Sequence, residues 1–173
     1  YEEELDAFGK ELFQLVRNAD EPGVENIVKD FRDFNIQDGY CRTALHWAGF
    51  QGNPNIIRML VKAGVELNAT DRNNWTPLHF ASFFGRDAAA IELLELGVNP
   101  AAREWVGMQP IDLAGSEGHT QIVSSLLGAS YSSDNEMELA LLEVAKQGNL
   151  SLTEALIGAG VNIECADESG WSP

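Results

Sequence analysis

Cysteine and positive charge are both scarce in this chain. Two cysteines, Cys41 and Cys165, occur in 173 residues, and 11 Lys+Arg stand against 27 Asp+Glu, a formal charge of −16. Such a field repels nucleic acid and anionic membrane and speeds encounter with basic partners. No apolar run approaches the ~20 residues that a membrane-spanning helix needs, and no secretory signal is visible. The chain opens on Tyr1 and closes on Ser172-Pro173, partway into a repeated motif, which reads as a fragment of something longer. Catalytic signatures are missing as well. There is no nucleophile elbow, P-loop or dinucleotide fingerprint. Paired carboxylates such as Glu2-Glu3 read as surface charge, with no constellation for general acid–base work. The expectation is a protein without catalytic residues, cofactor or metal.

What the chain has is a period. Thr76-Pro77-Leu78-His79 is preceded by Thr43-Ala44-Leu45-His46 and followed by Gln109-Pro110-Ile111-Asp112, each 33 residues away. Gly52, Gly85 and Gly118 keep that interval, as do Ala48, Ala81 and Ala114. A fixed period of this length means a stack of small supersecondary units that share a continuous core. Hydrophobic residues make up 45% of the chain, enough to fill such a core. Cys41 and Cys165 fall about four units apart. Layers of helices are spaced ~8–10 Å, far more in sum than the ~7 Å limit of a disulfide. A reduced, intracellular chain, cytoplasmic or nuclear, is the expectation. The sequons at Asn68, Asn74 and Asn149 carry weight only in a secreted chain.

Each unit opens on a turn rich in Asp, Asn and Gly, such as Asp38-Gly39 or Asp71-Arg72-Asn73-Asn74. A short helix follows. Thr43 or Thr76 is positioned to cap it, and Pro77 and Pro110 fall at its first position, where a missing N–H is harmless. Gly52, Gly85 and Gly118 end it. A second helix carries apolar residues at i, i+1, i+4, i+5, as in Ile56, Ile57, Leu60 and Val61, one broad helical face. Gly64 and Gly97 terminate it.

This pattern resembles the ankyrin repeat from roughly residue 10 to the end. The resemblance implies an all-α solenoid of about five helix–turn–helix repeats with short β-turn fingers. The repeats are expected at 11–37, 38–70, 71–103, 104–133 and 134–166, after an acidic extension at 1–10 and before a truncated sixth repeat at 167–173. The first is divergent, with Ala19 where glycine is expected. The fifth breaks step, since Gly148 follows Gly118 by only 30 residues. Its helices are expected to be kept, Met137 to Lys146 being the first, capped by Asp134 or Asn135, with a shortened turn before it. By the same resemblance Thr43, His46, Thr76 and His79 are structural, and Asp112 replaces the histidine in the fourth repeat. His119, at the start of an outer helix, also reads as structural. Cys41 and His46 form one Cys-x4-His pair, too few groups for a metal site.

Large side chains at positions that the repeat leaves free are the candidate binding residues. They are Tyr40, Arg42 and Phe50 with Gln51 in the second repeat, Trp75, Phe83 and Phe84 in the third, Trp105, Val106 and Met108 in the fourth, and Trp171 in the stub. Trp47, Phe80 and Leu113 are expected in the core. Contiguous exposed aromatics mark interaction sites, and Trp, Tyr, Met and Arg are enriched there. The expected function is non-enzymatic binding, on the concave face, of a protein or peptide that is basic with apolar anchors. The isolated chain is expected to be monomeric. A regulatory or targeting segment of a longer enzyme, channel or secreted effector is the alternative, and a homodimerising adaptor is a further one.

Overall fold

The structure, a computed structural model, describes residues 7–29, 33–130, 134–146, 148–166, 169–170 and 172–173. These form ten α-helices, with no strand among the described residues. In chain order they are α1 (Ala7–Arg17), α2 (Glu21–Ile27), α3 (Ala44–Gln51), α4 (Pro54–Lys62), α5 (Pro77–Phe83), α6 (Asp87–Glu95), α7 (Pro110–Ser116), α8 (Thr120–Ser130), α9 (Asp134–Lys146) and α10 (Leu150–Gly158). α1 starts four residues before position 11, where the sequence pattern opens the first repeat.

Local chemistry sets these bounds. Thr76 takes an extended backbone and its hydroxyl accepts the N–H of His79, while Pro77 occupies the first helical turn. Asn53 and Asn149 accept backbone N–H groups at the starts of α4 and α10. These bonds satisfy donors that a helix start otherwise leaves orphaned. Gly52 ends α3 at φ +87°, in the left-handed region that glycine enters without penalty. Ala19 stands at the matching place in the first repeat and is held at φ +53°.

The helices stack in two rows. α1, α3, α5 and α7 pack successively on one another, and α2, α4, α6 and α8 do the same. The core runs between the rows through Leu12, Leu45, Ile56, Leu60, Leu78, Leu93, Ile122 and Leu126. Burial of this kind of surface is the main favourable term in such a stack.

The fifth unit departs from this order. α10, the second helix of its pair, packs against both α7 and α8, and α9 packs against α10. A Cβ built on Gly115 of α7 would lie 2.5 Å from Leu152 Cδ1 and 3.0 Å from Leu152 Cα of α10. Glycine at 115 therefore lets the two backbones close. α9 also begins at Asp134, three residues before the expected Met137, so Asp134 belongs to the helix rather than capping a later start. α8 and α9 are joined by residues 131–133 alone, whereas 14 residues separate α4 from α5 and α6 from α7. The longer connections contain the turn fingers.

Candidate functional site

Three fingers project beside the first row of helices, and one acidic side chain shapes each. Asp38 Oδ1 accepts the backbone N–H groups of Tyr40 (2.8 Å) and Arg42 (3.0 Å). Asp71 Oδ1 does the same for Asn73 and Trp75, and Glu104 Oε1 for Val106 and Met108. Burial alone would raise the Asp38 and Glu104 carboxyls. The donors around them, including the Arg42 guanidinium on Asp38, bring both below their ordinary values. The fingers are also bonded to one another. Arg72 N donates to Tyr40 O (2.9 Å), and Trp105 N donates to Asn73 O (3.2 Å).

The motif histidines tie each helix start to the next finger. His46 Nδ1 lies 3.0 Å from the Thr43 backbone N and 3.0 Å from its hydroxyl, while Nε2 meets the Trp75 carbonyl. His79 repeats this with Thr76 and with the Met108 carbonyl. Burial pushes the His46 imidazole down to about 4, and it lowers His79 as well. Both nitrogens of each ring are engaged, so neither is free to bind a metal or act as a base. Among the described residues no group of three or more His, Cys, Asp or Glu side chains is placed to hold a metal ion.

Aromatic rings gather on the face lined by α3, α5 and the fingers. Phe50 meets Phe84 at 4.6 Å between centroids, Phe84 meets Phe83 at 5.0 Å, and Phe83 meets Trp75 at 5.5 Å. Trp47 joins through Phe50. Phe80 joins through Trp75 and Phe84. Edge-to-face contacts of this kind are favourable beyond simple burial. The structure thus brings Phe50, Trp75, Phe83 and Phe84 into one half-exposed cluster. Of the residues expected in the core, Leu113 is buried and Trp47 is partly buried and packed against the core, whereas Phe80 is only partly buried. Phe80 belongs to the cluster.

Cations border the rings. The guanidinium carbons of Arg17 and Arg42 stand 4.2 and 4.3 Å from the Trp47 ring centroid, and Arg42 also lies 4.6 Å from Tyr40. Trp105 stands apart on the third finger, 77% exposed beside Val106 at 86%. Met108 is half-buried, and its carbonyl is the one bonded by His79. Trp171 lies outside the described residues. Gln51 is turned inward, with Nε2 donating to Arg17 O at 2.5 Å.

Two contacts were not singled out from the sequence. Arg86 Nε donates to Phe50 O (2.8 Å), and His119 Nε2 meets Phe83 O (3.2 Å). Residues 86 and 119 are one period apart, as are 50 and 83. The signal was therefore present in the spacing, hidden by the change from Arg to His. A cleft of about 550 Å³ also opens between α8, α9 and residues 159–162, lined by Leu127, Met137, Val161 and Glu138. Glu138 is already bonded there by Asn162.

Known proteins share this sequence pattern. A family model described as ankyrin repeats (3 copies) matches residues 12–104. A vapyrin-like protein of Medicago truncatula is 31% identical over 144 residues, which are 83% of this chain and 29% of that protein. The chain thus spans under a third of the length of this curated relative.

Proposed function

Because the chain belongs to the ankyrin-repeat family, we propose that it is a non-enzymatic recognition module whose partner seats on the aromatic face. Ankyrin repeats generally mediate protein–protein interaction, and the family is typically non-enzymatic. The observation that carries this reading is the half-exposed ring cluster of Phe50, Trp75, Phe80, Phe83 and Phe84. Exposed rings that touch one another hold a rigid apolar platform in place before any partner arrives, which lowers the ordering entropy of binding. Tyr40 and Arg42 lie beside it on the first finger and Met108 on the third, with Trp105 standing apart at the end of that finger. By the ankyrin pattern this is the concave face of the stack.

The partner is a protein or peptide with apolar anchors flanked by Lys or Arg. The rings supply affinity, and the −16 charge supplies rate and selectivity. The module works as a monomer in a reducing compartment, a reading supported by its two free thiols. No helix among the described residues is long and apolar enough to cross a membrane. The short span of the relative covered favours a second reading, in which this is the ankyrin segment of a longer protein and the partner includes other parts of it.

Pull-down of partners from a cell extract, with wild type beside Trp75→Ala and Phe84→Ala, tests the proposal. Partners lost by both variants, and increasingly by wild type as salt rises, support it. Full retention by both variants overturns it.

A further inference from the structure

The row of fingers stops while its bonding pattern is still open. In the first two steps, the lower finger offers a carbonyl (Tyr40, Asn73) and the next finger returns a backbone N–H (Arg72, Trp105). By the same register the third finger offers the carbonyl of Val106. Among the described residues no donor reaches it, and three residues separate α8 from α9 where 14 precede α5 and α7.

Other positions around this carbonyl have changed in the same sense. His46 and His79 each reach forward to a carbonyl of the next finger. Asp112 replaces the histidine at the third step. It accepts the Gln109 N–H at Oδ2 (2.7 Å) and, when ionised, has nothing to donate. Asn74 Nδ2 also reaches forward, to Arg103 O at 2.6 Å, and its counterpart is Gly107, which has no side chain. The last finger has therefore lost its forward donors and kept its acceptors. Trp105 and Val106 stand exposed beside them.

We propose that the place a fourth finger would occupy takes an extended, basic segment of a partner protein. One backbone N–H of that segment donates to the Val106 carbonyl. A Lys or Arg side chain pairs with Asp112, and an apolar side chain covers Trp105. Donation to an open edge of this kind is how extended peptides add to exposed ladders. The ionisable groups at this step are Asp112, Glu104 and Arg103; the Arg103 guanidinium is turned back onto the Gly107 carbonyl of its own finger, so the two carboxylates set the sign of the occupant. The inference rests on the protein-recognition reading above, but it places contacts at a second surface, apart from the ring cluster.

The test is a titration of the isotope-labelled full chain with acetyl-(Lys-Val)4-amide, followed by backbone and indole NMR shifts. Two further peptides and three chain variants complete it: the same peptide with ester oxygens in place of its backbone N–H groups, acetyl-(Glu-Val)4-amide, and the chain variants Trp105→Ala, Asp112→Asn and Phe84→Ala. Saturable shifts at Trp105, Val106 and Gly107 are expected. Trp105→Ala and Asp112→Asn should each weaken binding by at least about fivefold, the usual threshold of an energetically significant contact. Phe84→Ala should leave it unchanged. The ester and glutamate peptides should not bind. Absence of saturable shifts at Trp105–Gly107 with millimolar peptide overturns the proposal, as does equal binding of the ester. Shifts confined to Trp75 and Phe84 overturn it while leaving the ring-cluster reading standing. Dimerisation of the free chain through Trp105 overturns it in favour of a second copy as the occupant.

Discussion

His46 Nε2 stands 3.0 Å from the carbonyl oxygen of Trp75, 29 residues further along the chain. The same ring accepts the Thr43 N–H at Nδ1, so one fully buried side chain closes a helix start and fixes the next finger. His46→Ala leaves a donor and an acceptor without partners and opens a cavity. A loss of roughly 2–4 kcal/mol is expected, read as a lower urea midpoint with an unchanged slope.

The same geometry makes stability depend on pH. With Nδ1 accepting and Nε2 donating, the buried ring is neutral. Its value is pushed down to about 4 by burial, while the unfolded chain takes up a proton near the ordinary histidine value of ~6.5. The unfolded state binds more protons between these limits, so stability falls as pH drops across that window. The contribution is complete above pH ~6.5 and amounts to roughly 3 kcal/mol for a shift of this size. His79 acts in the same direction. Urea melts of wild type and His46→Gln at pH 7 and pH 4.5 check this: the stability gap between them should narrow at the lower pH.

Arg58 and Glu92 join neighbouring outer helices. Arg58 Nε and Nη2 meet the two carboxylate oxygens of Glu92 at 2.8 and 2.5 Å, and the Glu92 side chain is 7% exposed against 48% for Arg58. Arg58→Met strands a buried carboxylate. The exposed half of the pair softens the effect, so a loss smaller than that of a fully buried pair is expected in urea unfolding. Arg58→Met combined with Glu92→Met should recover most of it, and a double-mutant cycle measures the coupling.

The period, the caps and the left-handed glycines were legible in the sequence because each rests on a local rule. Thr76, Pro77 and Gly52 need only their own neighbours to act. The ring cluster was half-legible. Positions 50, 75, 83 and 84 stood out as residues that the repeat does not require, yet Phe80 was assigned to the core. Helical periodicity says which face a residue shares, and only packing says how far the next layer covers it. The seating of α10 on α7 was not legible at all. The interval from Gly148 to Gly160 matches the interval from Gly52 to Gly64, so the pattern shows a helix pair without showing which member packs inward. Gly115 carried the clue, because a glycine inside a helix is unfavourable unless a backbone must come close.

Ser82 holds the position that Gly49 and Gly115 hold one period away on either side. Its hydroxyl is buried and has no hydrogen-bond partner among the described residues. Such a group loses its hydration without return, at about 1–3 kcal/mol. Ser82→Ala keeps the Cβ that the site already accommodates and removes the stranded oxygen. The variant should match wild type or exceed it by up to ~1 kcal/mol in thermal or urea unfolding. Destabilisation on this change would mean that the hydroxyl is bonded in solution.

Cys41, Asn74 and Gly107 occupy one position in successive fingers, with φ +61°, +63° and +94°. Glycine enters this left-handed region freely, and asparagine enters it more easily than other residues. Asn74 also uses its amide to bond Arg103 O. Cysteine has neither advantage, and the strain is of order 1–2 kcal/mol. Cys41→Gly removes that strain but gives the unfolded chain more freedom, which offsets ~0.5–1 kcal/mol of the gain. A net stabilisation of up to about 1 kcal/mol is expected. Cys41→Val should move the other way, since a β-branched side chain tolerates this backbone least. Paired urea melts decide it: if the glycine variant is no more stable than the valine variant, the finger does not hold its left-handed turn in solution.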